Sequence, residues 1–141
     1  MTQVIDSFKG EYFFLSNFYP SPMNCGGTIV QTVEHGYQAA KAKTEEEAQW
    51  VLASSSAGEA KKRGRKVELK EEWEDIKVST MIVMLLEKFR QHPDLYKKLQ
   101  DTGDAELIEG NWWGDTYWGV CKGVGENMLG KCLMSIRTGP L

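Results

Sequence analysis

Two groups of residues have side chains and a spacing that suit chemistry on a ligand. The first is residues 110–119, which read Gly-Asn-Trp-Trp-Gly-Asp-Thr-Tyr-Trp-Gly and hold three of the five tryptophans. The glycines permit unusual backbone angles, the aromatic rings offer faces on which a nucleobase stacks, and Asp115 adds a carboxylate. The alternative is an aromatic-rich turn that seals one end of a core, since Trp is usually well buried.

The second group lies on a predicted helix that begins after Thr32, a residue type favoured as an N-cap, and runs to about residue 43. One face of this helix, at i, i+3, i+4 and i+7, carries Glu34, Tyr37, Gln38 and Lys41. A carboxylate in the first turn lies at the positive end of the helix dipole and is held ionised. That state suits a base, a nucleophile or a cation stabiliser, and a merely solvated helix face is the alternative.

Two further segments offer groups that suit an anion. Five of the six residues 61–66 are basic, and arginine forks match phosphate oxygens. A glycine loop at residues 123–127 precedes a predicted helix, whose N-terminal N–H groups would face an anion. The alternatives are a solvated basic face, paired with the acidic residues 68–75, and a turn, because Gly-x-Gly alone is a weak signal without Rossmann or P-loop spacing.

The apolar patterns predict several helices and a few short strands. Short strands and turns are predicted at residues 12–15 and 18–19, and strands at Thr28–Val30 and 106–109. Helices are predicted at 45–54, with Trp50 and Leu52 as apolar anchors, and at 70–91, 94–100 and from about 128 onwards. The 70–91 helix is apolar on two sides and is expected to be central. Near its start, Trp73 either caps a small cluster or walls a pocket.

Composition limits the class of protein. The 141 residues fit one domain, 41% are hydrophobic and 26% charged, and the net charge of −3 argues against a general duplex-binding protein. Three scattered cysteines and two histidines make a disulfide framework or a zinc site unlikely on residue types. We therefore expect no metal. Because no signal peptide and no apolar run of ~20 residues occurs, we also expect no membrane association and a cytoplasmic location.

Several strings, taken together, resemble the YbiA-like, or NADAR, family over nearly the whole chain. They are Phe8-Lys9-Gly10, residues 14–18 (Phe-Leu-Ser-Asn-Phe), 32–41 (Thr-Val-Glu-His-Gly-Tyr-Gln-Ala-Ala-Lys), Gly64-Arg65, Trp73, 111–119 and 123–130. The resemblance implies one compact, mainly helical α+β domain over residues 1–141. It also implies an N-glycosidase, which hydrolyses the bond between a ribose C1 and a base nitrogen. Two substrate classes are associated with the family: ADP-ribose attached to guanine in DNA, and ribosylamino-pyrimidine phosphates of riboflavin synthesis.

The resemblance carries functional roles onto particular residues. Glu34 corresponds to the family's essential glutamate, Asp115 to the acidic residue of its Asp-x-Tyr-Trp segment and Trp73 to the tryptophan after the Gly-Arg stretch, so we predict that they are catalytic. Chemistry suggests that Glu34 stabilises the sugar cation or activates water, and that Asp115 orients the ribose or water or protonates the leaving base. The predicted substrate-binding residues are Asn17, Phe18, Tyr37, Gln38, Lys41, Arg65, Asn111, Trp113, Trp118, Gly123, Gly125 and Asn127.

Within this set, Trp73 and Trp118 are expected to stack the base or seal the pocket from water. Arg65 and the glycine loop would hold phosphate, and Asn17 would bond the sugar or base. No redox cofactor is needed for such a hydrolysis. The implied partners are a nucleotide-like substrate, single-stranded DNA and a toxin that makes the modification.

Three functions remain open on the sequence. The full lead before Asp115 (Gly-Asn-Trp-Trp-Gly) resembles members that act on ADP-ribose, which favours removal of ADP-ribose from guanine. Hydrolysis of riboflavin intermediates is the second function. A non-catalytic module that binds ADP-ribose or NAD is the third, with Glu34 and Asp115 bonding ribose hydroxyls.

Overall fold

The computed structural model describes residues 3–141 and shows the predicted α+β, mainly helical fold. Two compact units are present: unit 1 combines residues 3–16 with His92–Leu141, and unit 2 is Asn17–Gln91. In chain order the elements are β1 (Val4–Ile5), a 3-10 helix (Gly10–Leu15), β2 (Met23–Cys25), β3 (Thr28–Val30), α1 (Val33–Ala40), α2 (Glu45–Leu52), α3 (Ala57–Gly64), α4 (Trp73–Gln91), α5 (Pro93–Asp101), β4 (Glu106–Leu107), β5 (Gly110–Asn111), β6 (Val120–Cys121) and α6 (Met128–Thr138).

Unit 2 is built from the antiparallel β2–β3 hairpin and four helices. Hydroxyl N-caps begin the first three helices: the side chains of Thr32, Thr44 and Ser56 each accept a hydrogen bond from the backbone N–H three residues later, which satisfies a donor that the helix leaves unpaired. Small side chains pack between α1, α2 and α3, namely Ala39, Ala42, Val51, Ala60 and Val67. This packing brings the helix backbones close together.

The longest helix, α4, is apolar on two sides, but the structure buries these sides unequally. Val83 on one side is half exposed, whereas Met81, Leu85 and Phe89 on the other side are almost wholly buried. The same face buries Lys88 completely, with its ammonium 5.7 Å from the centre of the Tyr19 ring. Burial lowers the pKa of Lys88 from its ordinary value of 10.5 to about 7, because a charged amine loses hydration inside the protein.

Unit 1 contains two short parallel strand pairs, the 3-10 helix and the two α-helices α5 and α6. β1 pairs with β4, with Val4 opposite Glu106, and β5 pairs with β6, with Gly110 opposite Val120. Helix α6 buries Leu129, Cys132, Leu133 and Ile136. The β5–β6 pair flanks the aromatic stretch and therefore anchors both of its ends.

Three details of the prediction are wrong. Residues 12–15 belong to a 3-10 helix and not to a strand, and the neighbours Phe14 and Leu15 are both buried, which a strand with one buried face does not allow. In α2, Val51 is the buried anchor, whereas Trp50 is 40% exposed. Helix α1 also ends at Ala40, three residues before the predicted end.

No helix within residues 3–141 is long and apolar enough to cross a bilayer.

We expect Lys88→Met to change how stability depends on pH. The unfolded chain binds a proton at Lys88 up to pH ~10.4, whereas the folded protein loses it near pH 7. Between these values the unfolded state binds more protons, so the free energy of unfolding rises with pH by up to about 1.4 kcal/mol per unit from this group. Denaturant unfolding of both proteins from pH 7 to 8.5 should give a smaller slope for the variant, and parallel curves would contradict the prediction.

Candidate active site

The first turn of α1 is held rigidly by backbone and side-chain hydrogen bonds. Glu34 N–H donates to Asn17 O at 3.1 Å, and His35 Nδ1 lies 2.8 Å from Thr32 Oγ1. The other ring nitrogen, His35 Nε2, lies 3.0 Å from Ser54 O, and since a carbonyl only accepts, Nε2 carries a proton. His35 therefore ties the start of α1 to the segment after α2 and has a structural role.

Glu34 is a buried carboxylate whose direction is set by a neighbouring amide. Its side chain is only 7% exposed, and Oε2 accepts a hydrogen bond of 2.7 Å from Gln38 Nε2. Gln38 is itself buried and packs against Gly64 of α3, where any Cβ would collide with Gln38 Oε1. Glycine at position 64 therefore makes room for the amide that orients Glu34.

An aromatic wall lies on the same face of α1 as Glu34. The rings of Tyr37 and Trp73 are 5.2 Å apart and tilted by 58°, and Trp73 is 5% exposed. Lys41 Nζ lies 5.6 Å from the centre of the Tyr37 ring. The predicted face of α1 is thus assembled as an acid, an amide, an aromatic pair and a cation.

Cations gather at the Lys41 end of this face. Burial lowers the pKa of the half-buried Lys41, and the positive charges of Arg65 and Lys61 lower it further, while Glu34 and Glu74 act in the opposite direction. Like charges held together cost free energy. A protein retains such a cluster where an anion binds, so this end of the face suits a phosphate.

Asn17 contributes a buried amide with unused capacity. It is 8% exposed, and its Nδ2 contacts only a weak acceptor, Met81 Sδ at 3.5 Å. Asn17 Oδ1 has no hydrogen-bond partner among the described residues, and a buried polar group without a partner costs about 1–3 kcal/mol. The next residue, Phe18, is exposed. These features fit a ligand that bonds to Asn17.

The aromatic stretch of unit 1 is organised by Asn111 and Asp115. Asn111 Nδ2 donates to Glu109 Oε2 at 3.0 Å and to Asp115 O at 2.8 Å, while its Oδ1 accepts from Asp115 N–H. Asp115 Oδ1 accepts from the N–H groups of Tyr117 and Trp118. Because both bonds use Oδ1, Oδ2 is the oxygen by which Asp115 would act on a substrate.

The tryptophans of this stretch differ in exposure. Trp112 is 79% exposed and Trp113 45%, with their rings edge to face at 5.7 Å. Trp118 is half-buried and packs edge to face with Tyr117 at 5.1 Å. The alternative of a turn that merely seals a core does not fit the exposed pair.

The glycine loop is arranged differently from the expected anion site. The N–H groups that open α6 are occupied, since Met128 donates to Tyr117 O and Leu129 to Trp118 O. Gly125 closely approaches the backbone at Gly119. Asn127 uses its amide to bond Glu109 N–H and Leu107 O. These bonds give the loop a structural role, and substrate binding by Gly123, Gly125 and Asn127 stays a prediction.

The predicted site residues fall into two sets. Unit 2 brings together Asn17, Glu34, Tyr37, Gln38, Lys41, Arg65 and Trp73. Unit 1 contains Asn111, Trp113, Asp115, Trp118, Gly123, Gly125 and Asn127. Within residues 3–141, no group of three or more His, Cys, Asp or Glu side chains is placed to hold a metal ion.

Sequence reasoning missed Glu74 and the packing role of Gly64, and it named Lys61 only as part of the basic run. Lys61 and Glu74 act on the pKa of Lys41, and nothing in a linear pattern shows which charged residue of a segment lies near a given lysine. Gly64 was assigned only to a family string, and its packing role is visible only when α3 meets α1.

The chain is similar over nearly its whole length to a known domain family. The family's sequence model, described as the NADAR domain, matches residues 6–139. The NMR structure of the E. coli protein YbiA is 34% identical, covers 97% of this chain and 84% of that one, and superposes with a TM-score of 0.86. The chain therefore belongs to the NADAR domain family and has the YbiA fold.

Two curated relatives are similar in sequence. An N-glycosidase of Nostoc punctiforme is 36% identical over 132 residues, which cover 89% of this chain and 84% of that protein. A riboflavin biosynthesis protein of Vibrio vulnificus is 37% identical over 127 residues, but the chain spans only 34% of its length. Together these matches define the class as a NADAR-family glycosidase, a hydrolase of N-glycosyl bonds.

We expect Gly64→Ala to lower turnover about tenfold, measured as release of the base from an N-glycosidic substrate. The added methyl group collides with Gln38 Oε1, so the amide moves and no longer orients Glu34, and tenfold corresponds to about 1.4 kcal/mol of activation free energy.

The matched control for this variant is Gly58→Ala in the same helix. A Cβ there meets nothing closer than Ser56 Oγ at 3.8 Å, so alanine should keep activity and stabilise the protein by about 0.5–1 kcal/mol. Equal turnover by the two variants would contradict a positioning role for Gln38.

Proposed function

We propose that this protein removes ADP-ribose from guanine in DNA by hydrolysing the bond between the ribose C1 and the base nitrogen. The observation that carries the proposal is the buried Glu34 carboxylate, oriented by Gln38 and neighboured by the cations at Lys41, Lys61 and Arg65. The substrate develops positive charge on its sugar and carries negative charge on its phosphates. The carboxylate would stabilise the sugar, and the cations would bind the phosphates.

The reaction needs no electron carrier. The C1–N bond breaks with its electron pair going to nitrogen, and positive charge develops at C1 and the ring oxygen. Glu34 stabilises this charge or takes a proton from the attacking water. The water oxygen bonds to C1, and the leaving nitrogen gains a proton, so the products are unmodified guanine, still part of the DNA, and ADP-ribose.

The aromatic and amide groups fit the uncharged parts of this substrate. The Tyr37–Trp73 pair offers apolar surface beside Glu34, where an adenine or guanine ring gains stacking energy of about 1–3 kcal/mol. Asn17, with its buried and unpartnered Oδ1, accepts a hydrogen bond from a sugar hydroxyl or a base amine.

For the second set of residues we propose the roles expected from the family. Asp115 orients a ribose hydroxyl or the water, or protonates the leaving base, and Trp118 excludes water. A toxin that attaches ADP-ribose to guanine would be the opposing activity. We expect the enzyme to act on DNA in the cytoplasm.

Hydrolysis of ribosylamino-pyrimidine phosphates is the second candidate. The cation cluster around Lys41 suits one phosphate as well as a pyrophosphate, and one relative is named a riboflavin biosynthesis protein. In both substrates the bond that breaks joins a ribose C1 to a nitrogen. The substrate with ADP-ribose is larger, because it carries an additional adenosine.

We expect Glu34→Gln to reduce turnover by about 10²–10⁴-fold while the fold remains intact. The amide keeps the size of the side chain but carries no charge, so it neither stabilises the sugar cation nor takes a proton. The test incubates wild type and variant with single-stranded DNA that carries ADP-ribosyl-guanine and measures free ADP-ribose by mass spectrometry, with circular dichroism as the folding control.

Each outcome selects one function. Release by wild type alone supports removal of ADP-ribose from guanine. Absence of release, with hydrolysis of a ribosylamino-pyrimidine phosphate, selects the second candidate. Calorimetric binding of ADP-ribose with no hydrolysis of either substrate indicates a non-catalytic binding module.

We expect Arg65→Gln to raise KM about tenfold or more, with a smaller effect on kcat. A hydrogen bond between charged groups contributes about 1.5–3 kcal/mol, and a contact made equally in ground and transition state appears mainly in KM. The control is Lys43→Gln, which removes the same charge from an exposed residue paired with Glu68. An unchanged KM in Arg65→Gln would show that this guanidinium does not bind the phosphate.

A further inference from the structure

The basic residues at the end of α3 form two rows with different surroundings. Lys61 and Arg65 are four residues apart and share a side of the helix, the side that acts on the pKa of Lys41. Lys62 lies about 100° further around α3, and Lys66 follows in the turn after the helix, where its N–H donates to Arg63 O at 2.9 Å. Both lysines are exposed and make up the second row. The first row therefore belongs to the site at Glu34, and the second row continues away from it.

At the far side of the second row lies an exposed aromatic residue held beside a cation. The guanidinium carbon of Arg63 is 5.0 Å from the centre of the Trp50 ring, and Arg63 Nη1 donates to Trp50 O at 2.7 Å. Glu59 pairs with Arg63 Nε at 3.5 Å. Arg63 is thus fixed against Trp50, which remains 40% exposed.

General stabilisation of the helix does not account for this arrangement. Cations in the last turn of a helix interact favourably with its dipole, by about 0.3–1 kcal/mol each. In the part of the chain that the structure describes, however, neither Lys62 nor Lys66 belongs to an ion pair. The whole chain carries a net charge of −3, so these lysines are a local excess of positive charge. The helix dipole also gives no reason for an exposed tryptophan beside them.

We propose that Lys62, Arg63, Lys66 and Trp50, together the α3 surface, bind the strand that flanks the modified base in single-stranded nucleic acid. The lysines contact phosphates, and Trp50 stacks on a neighbouring base, a combination of groups that suits single strands of any sequence. This inference rests on the proposed function for the identity of the modified base, and it adds the surface that holds the neighbouring nucleotides of the strand.

The α3 surface is fixed next to the Glu34 site by packing. Gln38 bonds Glu34 on one side and packs against Gly64 on the other, so one side chain separates α3 from the carboxylate. A single strand is favoured over a duplex because its base reaches an enclosed site without the cost of unpairing and flipping.

The binding test uses unmodified, fluorescein-labelled 12-mers of DNA and RNA and a DNA duplex, followed by fluorescence anisotropy between 50 and 200 mM salt. In the variant Lys62→Gln/Lys66→Gln we expect affinity for single strands to fall about tenfold or more. The salt dependence, log K against log salt, should become shallower by about 1.4, which is ~0.7 for each lost phosphate contact. Comparison of the DNA and RNA arms shows whether the sugar matters.

The matched control is Lys97→Gln/Lys131→Gln, which removes two exposed lysines of unit 1 and the same net charge. Trp50→Ala should weaken binding without changing the salt slope, because stacking releases no counterions. Equal affinities and slopes for the α3 double variant and its control would overturn the proposal, as would absence of single-strand binding by wild type. That second result would direct attention to a protein partner.

A hydrolysis test separates this proposal from the proposed function. Wild type and the double variant receive ADP-ribosyl-guanine either in a 12-mer or as the single nucleoside. We expect the variant to lose kcat/KM about tenfold on the 12-mer only. Equal losses on both substrates would overturn the α3 surface. If wild type hydrolyses neither substrate yet binds strands through these lysines, the proposed reaction fails and the surface stands.

Discussion

The packing of Gln38 between Glu34 and Gly64 is the constraint on which the site in unit 2 depends. One amide sets the direction of the buried carboxylate and fills the space that a glycine leaves on α3. The orientation of Glu34 is therefore coupled to the position of the helix that carries the cations. This coupling explains why the acid and the cations form one arrangement, although they come from different segments of the chain.

Unit 1 uses hydrogen bonds for a similar purpose. Asn111 and Asp115 hold the aromatic stretch in place, and its carbonyls in turn satisfy the first N–H groups of α6. A helix start that would suit an anion is thus used to secure a loop. The loop consequently has a defined backbone, even though two of its tryptophans face solvent.

Buried or crowded cations show where stability is given up. Lys88 is wholly buried, and Lys41 is half-buried beside two other positive groups; both have a lowered pKa, chiefly because burial disfavours the charged amine. Around Lys41 the neighbouring cations Arg65 and Lys61 add to the effect of burial, while Glu34 and Glu74 oppose it. At Lys88 the cost is that of burying an amine, and the free energy of unfolding depends on pH because proton binding is linked to folding.

The sequence by itself determined five of the six α-helices within residues 3–141 (α1, α2, α4, α5 and α6), the cap at Thr32 and the shared face of Glu34, Tyr37, Gln38 and Lys41, because these follow from local hydrogen bonding and a period of 3.6 residues. Helix α3 was not predicted. It also indicated the family through its motifs, which the family match confirmed. Only the tertiary structure decided that Trp50 faces solvent, that residues 12–15 form a 3-10 helix, and that the α6 N–H groups are occupied. The physical reason is that burial and hydrogen-bond partners across distant segments depend on packing, which local periodicity does not encode.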